Sequence, residues 1–402
     1  MLGLRKSLVL VASVGVVFFI LIILLPFFLK STYSASSNPD GSQVVPTQTA
    51  LATHIETPES LKALYMTACV AGTPSWRDSL KKLIETTELN AVVIDIKDFT
   101  GVVSFPNDFP KTDTGRGCVV SDMREFVRAL HEVQIYVVGR ISVFQDPSYT
   151  KLFPTLAVKK KSDGTVWKDH KGLSFIDVGA TPYWDYIVEI SREAYALGFD
   201  ELNYDYVRYP SDGNMQDISY TWAVGTASTS SPQATKPEML ENFFEYLSNN
   251  LKNIAHSTSS GQGPKLSVDL FGMTTTVTSD MNIGQVLEKA LPYFDYVAPM
   301  VYPSHYPATW NGFANPAEHP YEVIKISMSK AVEREEMWQI ANGIATSTPS
   351  KMRPWLQDFN LGATYDATKV RAQIQATYDV GLTSWMLWNA GNKYTKEALL
   401  PE

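Results

Sequence analysis

Gly198-Phe199-Asp200-Glu201-Leu202-Asn203-Tyr204-Asp205-Tyr206-Val207-Arg208-Tyr209-Pro210 is a short β-rich run bounded by a glycine and a proline. Successive side chains of a strand point to opposite faces, so Leu202, Tyr204 and Tyr206 share one face and Glu201, Asn203 and Asp205 the other. The same parity sets Asp95 and Lys97 on one face of the run 91–97, Arg140 on one face of 135–143, and Ser267 with Asp269 on one face of 265–271. Apolar residues on one side suit packing against helices, and the polar side is the one that fills the interior of a closed barrel. Burying carboxylates without partners is costly, so an inward ring of Asp, Lys, Arg and Tyr implies a wet or ligand-filled mouth.

Outward from that run, further strands are expected at 64–68, 91–97, 135–143, 265–271, 295–302, 355–359 and 382–388. Amphipathic helical stretches fall between them at 75–86, 122–133, 183–197, 237–256, 283–291, 321–333 and 368–380. Strands alternating with helices imply parallel strands joined by crossovers, and eight such strands imply a (β/α)₈ TIM barrel. The seventh strand carries the weakest signal because it opens on Pro354, and without it the sheet would stay open. In a barrel of this kind the C-terminal strand ends form the active face. The loops 144–181 and 211–236 are expected to shape its cleft.

The first 58 residues read differently. Residues 8–29 are almost wholly apolar, about 22 residues, enough to cross a hydrocarbon core. Arg5 and Lys6 precede this run and Lys30 follows it, which puts the N-terminus in the cytoplasm and the barrel outside. Residues 1–30 are therefore expected to form a transmembrane signal-anchor. Ser34-Ala35-Ser36 resembles a cleavage site, so a cleaved, secreted form is the alternative. Residues 31–58, rich in Ser, Thr, Pro, Gln and Asn, read as a flexible linker, and 59–402 as the barrel domain.

A chain with 45% hydrophobic and 12% aromatic residues has a sizeable core. Its net charge of -8 argues against a nucleic-acid partner and favours neutral or cationic substrates. Cys69 and Cys118 lack the spacing of a zinc site or a redox pair. In an oxidising compartment they either pair or stand as independent thiols.

Glycoside cleavage needs one carboxylate to attack or stabilise the developing oxocarbenium ion and a second group to protonate the leaving oxygen. Asp205, inward near the rim, suits the first role, against the alternative of a structural ion pair with Arg208 or Arg140. Asp269, on the neighbouring strand, suits the second, against that of orienting Asp205 or binding a sugar hydroxyl. Asp95, Lys97, Asp98 and Arg140 are expected to contact substrate or to hold Asp205 charged, with purely structural salt bridges as the alternative. Tyr206, Arg208, Met300, Tyr302, Trp355, Gln357, Trp388 and Asn389 complete the expected substrate-binding rim. Rings there stack on sugar C–H faces and polar groups fix hydroxyls. His305, just beyond the sixth strand, reads as an exposed loop histidine, against the alternative of a mobile acid or substrate contact. Neither metal nor organic cofactor is required.

The motifs Val93-Ile94-Asp95-Ile96-Lys97-Asp98, Phe199 to Pro210 as quoted above, Ser267-Val268-Asp269-Leu270-Phe271-Gly272 and Ala298-Pro299-Met300-Val301-Tyr302-Pro303 resemble the bacterial "putative glycosyl hydrolase" barrel family. That resemblance spans roughly residue 61 to the C-terminus and implies a glycosidase. More distantly the chain is similar to family-18 chitinases, whose fourth strand ends Asp-x-x-Asp-x-Asp-x-Glu. Asp200, Asn203 and Asp205 fall on the three Asp positions, but Val207 stands where the proton-donating Glu belongs. The resemblance extends to substrate contacts at Met300, Tyr302 and Trp388. The expected function is hydrolysis of a cell-surface or extracellular polysaccharide. Its rivals are a non-catalytic carbohydrate-binding or envelope-organising protein on the same barrel, and a barrel deacetylase or lyase.

Overall fold

A computed structural model describes residues 52–110, 117–222, 234–252, 254, 263–345 and 350–401. The expected anchor and the linker as far as residue 51 lie outside the described residues. Among the described residues no helix is long and apolar enough to cross a membrane.

Eight parallel strands close into a barrel: β1 (Lys62–Met66), β2 (Ala91–Lys97), β3 (Tyr136–Ser142), β4 (Glu201–Asp205), β5 (Lys265–Phe271), β6 (Tyr296–Met300), β7 (Trp355–Gln357) and β8 (Trp385–Trp388). Each strand lies beside its sequence neighbours, and β8 closes on β1 through Lys62↔Trp385 and Leu64↔Leu387. The crossovers carry α1 (Pro74–Glu85), α2 (Met123–His131), α3 (Thr181–Leu197), α4 (Lys236–Leu251), α5 (Leu287–Ala290), α6 (Pro320–Ala341) and α7 (Ala367–Tyr378).

The expected parity organises two cores. Val92, Ile94 and Ile96 of β2, Leu202 and Tyr204 of β4, and Leu266, Val268 and Leu270 of β5 point outward into one core shared with the helices. Ala63, Tyr65, Val93, Tyr136, Val138 and Trp355 point inward and fill the lower barrel. Gly139 allows β2 and β3 to sit this close, because a Cβ there would stand 2.0 Å from Ile96 Cδ1.

Several expected boundaries move. β7 is shorter than 355–359 and registers with β6 only through Met300↔Trp355. Pro354 precedes it, and its carbonyl accepts the Met386 N–H at 3.0 Å, so the pairing with β8 begins one residue before β7 despite the proline. α5 covers four residues of the expected 283–291. The end of the expected linker is docked: the Ile55 N–H donates to Asp200 at 2.9 Å and Thr57 Oγ1 bonds the Tyr136 hydroxyl at 3.0 Å. Composition missed this because the docking uses a few specific hydrogen bonds and one ring stack, His54 on Tyr195.

The loops after β3 and β4 join through two short antiparallel strands, Lys159–Lys160 and Ile218–Ser219, over a small core of Val158, Trp167 and Phe175. Cys69 and Cys118 form a disulfide, tying the segment after β1 to the one after β2.

Candidate active site

The C-terminal strand ends surround a cavity of about 490 Å³, lined among others by Arg140 of β3, Asp205 of β4, Asp269 of β5, Met300 of β6, Tyr302 just beyond β6, and Trp388 of β8. That volume is in the range that holds a small ligand or a few sugar units.

Arg140 is the hub. It is 4% exposed, and its guanidinium bonds Asp95 Oδ1 through Nη1 at 2.7 Å and Asp205 Oδ2 through Nη2, with Nε 3.9 Å from Asp269 Oδ2. It also lies over the rings of Trp388 at 5.0 Å and Tyr65 at 5.6 Å. Burial works against its charge, but Asp205 and Asp95 hold it well above the ordinary arginine range. One cation on β3 therefore gathers three acids, from β2, β4 and β5.

The acids differ in surroundings. Asp205 Oδ1 accepts the backbone N–H of Tyr206 at 2.5 Å. Tyr206 has φ +53°, the left-handed region that a residue this bulky rarely enters. Asp205 and Tyr206 consequently both line the cavity, and Val207 is buried in the outer core. The position that carries the proton donor in chitinases is thus turned away from the mouth here.

Asp269 is 1% exposed; its Oδ1 accepts from Asn203 Nδ2 at 2.9 Å and Trp355 Nε1 at 2.8 Å. Burial first, and then the charge of Asp205, push its carboxyl up to about 8, so it keeps its proton near neutral pH. With Oδ1 occupied by two donors, Oδ2 is the oxygen free to carry that proton. Asp95, beneath the cavity, is pushed up to about 6 by burial, and accepts the Tyr65 hydroxyl.

Of the expected residues, Asp205, Asp269, Arg140, Tyr206, Arg208, Met300, Tyr302 and Trp388 line the cavity. Six others do not, and their contacts explain why. The register shifts between Asp95 and Lys97, so the two lose their shared parity. Lys97 is fully buried, its ammonium 2.9 Å from Asp146 and 2.6 Å from the Ser142 carbonyl. Asp98 turns the chain by accepting the Thr100 N–H at 2.8 Å. Asp95 and Trp355 lie one layer deeper, each bonded to a residue of the cavity wall. Gln357 is spent on loops, accepting from Ser304 N and donating to the Phe359 carbonyl. Asn389 likewise bonds the carbonyls of Asp358 and Lys393.

The sequence reading missed Phe271, Gly272, Met273, Tyr306 and Lys171 in the cavity wall. Gly272 was legible as a glycine at a strand end, where a Cβ would stand 2.5 Å from the Met300 carbonyl. His305 is exposed, as expected, and also lines the rim. Tyr65 follows from the inward parity of β1, while Lys171 and Tyr306 lie in loops that carry no periodic signal.

Residues 63–394 match the family described as "Putative glycosyl hydrolase domain". The chain belongs to that family. No match is found among the curated proteins. Among solved structures this family member is similar to the PgaB (BpsB) glycoside hydrolase domain from Bordetella bronchiseptica, with a TM-score of 0.59 at 14% identity over 83% of this chain and 94% of that one. It is also similar to alpha-L-fucosidase isoenzyme 2 from Paenibacillus thiaminolyticus, with a TM-score of 0.54 at 12% identity over 84% of this chain and 48% of that one. A chitinase from Chromobacterium violaceum aligns with a TM-score of 0.48 at 14% identity, covering 84% and 96%. At such identities the likeness is one of fold. The fold is what the Bordetella and Paenibacillus structures share with this member of the glycosyl hydrolase family.

Proposed function

We propose that the barrel hydrolyses O-glycosidic bonds of a cell-surface or extracellular polysaccharide, with Asp205 and Asp269 as its two working acids. The observation that carries this reading is the pair itself: two carboxyl groups on one guanidinium, one in an ion pair and the other pushed up to about 8. Environments that separate two acids in this way suit one to proton donation and the other to charge stabilisation.

In the reaction, Asp269 delivers the proton on Oδ2 to the leaving glycosidic oxygen as the bond to the anomeric carbon breaks. Asp205 attacks that carbon or stabilises its positive charge; water then gives its hydroxyl to the carbon, breaking any bond formed to Asp205, and its proton to Asp269, which completes the new reducing end and restores the acid. Trp388, Tyr302 and Met300 offer apolar surface to the sugar ring, and Tyr206 a hydroxyl at the rim. The apolar run 8–29 supports attachment to a membrane, and the Cys69–Cys118 disulfide supports an oxidising, extracytoplasmic location.

A second reading, a non-catalytic carbohydrate-binding protein, is favoured by Val207 alone. A screen of the full-length chain against bacterial and plant polysaccharides separates the two. The hydrolase reading expects new reducing ends in proportion to enzyme and time from at least one polymer. Retention of a polymer with no reducing ends released from any of them would establish the second reading instead.

A further inference from the structure

The cavity of an acidic protein is expected to repel anions, yet its wall carries three basic side chains, Arg140, Arg208 and Lys171, against the two acids Asp205 and Asp269. Arg140 is committed to the acids. Burial keeps Asp269 protonated near neutral pH, so the side chains lining the wall carry an excess of positive charge, which Asp212 and Asp169, near Arg208 but outside the lining, offset in part.

Arg208 is held for a ligand on one edge and by protein on the other. Nη1 donates to the Tyr209 carbonyl and to Ser211 Oγ, both at 3.1 Å. The guanidinium lies over the rings of Phe271 at 4.9 Å, Tyr206 at 5.2 Å and Phe175 at 5.7 Å. Among the described residues, no carboxylate lies in ion-pair range of it, Asp205, Asp212 and Asp169 acting on it only from farther off, and its hydrogen bonds run through Nη1, leaving Nε and Nη2 open. A half-buried guanidinium fixed by aromatic faces, with one fork edge free, is preorganised for bidentate recognition of a planar or tetrahedral anion. Lys171 lines the same cavity from the loop that also contributes Phe175.

We infer that the substrate is an anionic glycan, with a carboxylate or phosphate of the sugar nearest the catalytic acids bound by the free edge of Arg208. This deepens the glycosidase reading and rests on it for the word substrate, but the binding claim is testable without turnover. It also reverses the expectation from net charge, because the field at the site is set by the few charges lining it and not by the sum over the surface.

The test is glycan binding by the full-length chain to an array holding neutral, N-acetylated, amine-bearing, uronate-bearing and phosphate-bearing oligosaccharides. The best binder is then compared with its carboxyl-reduced or dephosphorylated counterpart. Binding confined to the uronate or the phosphate set identifies which anion is recognised. Loss of the anion is expected to weaken binding by about 10-fold or more, and Arg208→Gln to abolish that difference. Arg208→Lys, which keeps the charge and loses the fork, is expected to retain part of it. Binding only to neutral or amine-bearing glycans, binding to no anionic glycan, or an anion preference that survives Arg208→Gln would each overturn the inference. Hydrolysis of a neutral polymer leaves the glycosidase reading standing and removes this one; tight anionic binding without cleavage does the reverse.

Discussion

Exchange of Asp205 for asparagine is expected to lower turnover by on the order of 10⁴-fold, the scale on which removal of a group acting directly at the reacting carbon is felt. Asparagine keeps the shape of the side chain and can still accept the Tyr206 N–H, so the loss reports charge and not a collapsed site. Arg140 retains Asp95 and Asp269 as partners, and melting of the variant is expected to stay close to that of the parent. A second effect follows from the coupling of the acids. Part of what raises Asp269 is the charge of Asp205, so residual activity in Asp205→Asn should lose its alkaline limb at a lower pH than the parent. Steady-state rates across pH on a polymer identified by the screen check both points. An undiminished rate would remove Asp205 from the chemistry.

Arg140→Met should produce the largest change in stability, about 3–5 kcal/mol at neutral pH, because it leaves buried acids without their counter-charge. The guanidinium is buried, touches Asp95 and Asp205 directly, and approaches Asp269. The sign of the pH dependence is fixed by the acids left behind. The folded-state carboxyl of Asp95 already lies near 6, above its unfolded value, and without Arg140 it rises further. A carboxyl raised by folding weakens the fold as pH climbs through the interval between its unfolded and folded values. The deficit of Arg140→Met should therefore be smaller at pH 5 than at pH 8 in urea unfolding. A variant within about 1 kcal/mol of the parent at pH 8 would show that the hub is dispensable.

The barrel was legible because parity repeats: Asp95, Arg140, Asp205 and Asp269 each sit two residues from an inward neighbour of the same strand, and each faces the interior as that pattern requires. The same rule failed where the backbone departs from a regular strand. The register shift after Asp95 took Lys97 out of the interior and into a pair with Asp146, and no residue type announces such a shift. The left-handed Tyr206 likewise turned Val207 outward, although two-residue counting from Asp205 points it in. Gln357 and Asn389 have the chemistry of sugar ligands, but loop carbonyls claim their amides. Arg208 was visible as a rim residue, whereas the aromatic bed under it is assembled from Phe175 and Phe271, far apart in the chain, and only the folded molecule brings them together.

The central claim is that Asp269 holds a proton near neutral pH and gives it to the leaving oxygen. The measurement that bears on it most directly is kcat/KM against pH for the parent and Asp269→Asn, each on the natural polymer and on an aryl glycoside whose leaving group needs no proton. The parent should lose activity on the polymer as pH rises through about 8, and Asp269→Asn should fail on the polymer while retaining turnover of the aryl glycoside with no alkaline limb. Full polymer turnover by Asp269→Asn, or an alkaline limb that persists without Asp269, would contradict the account.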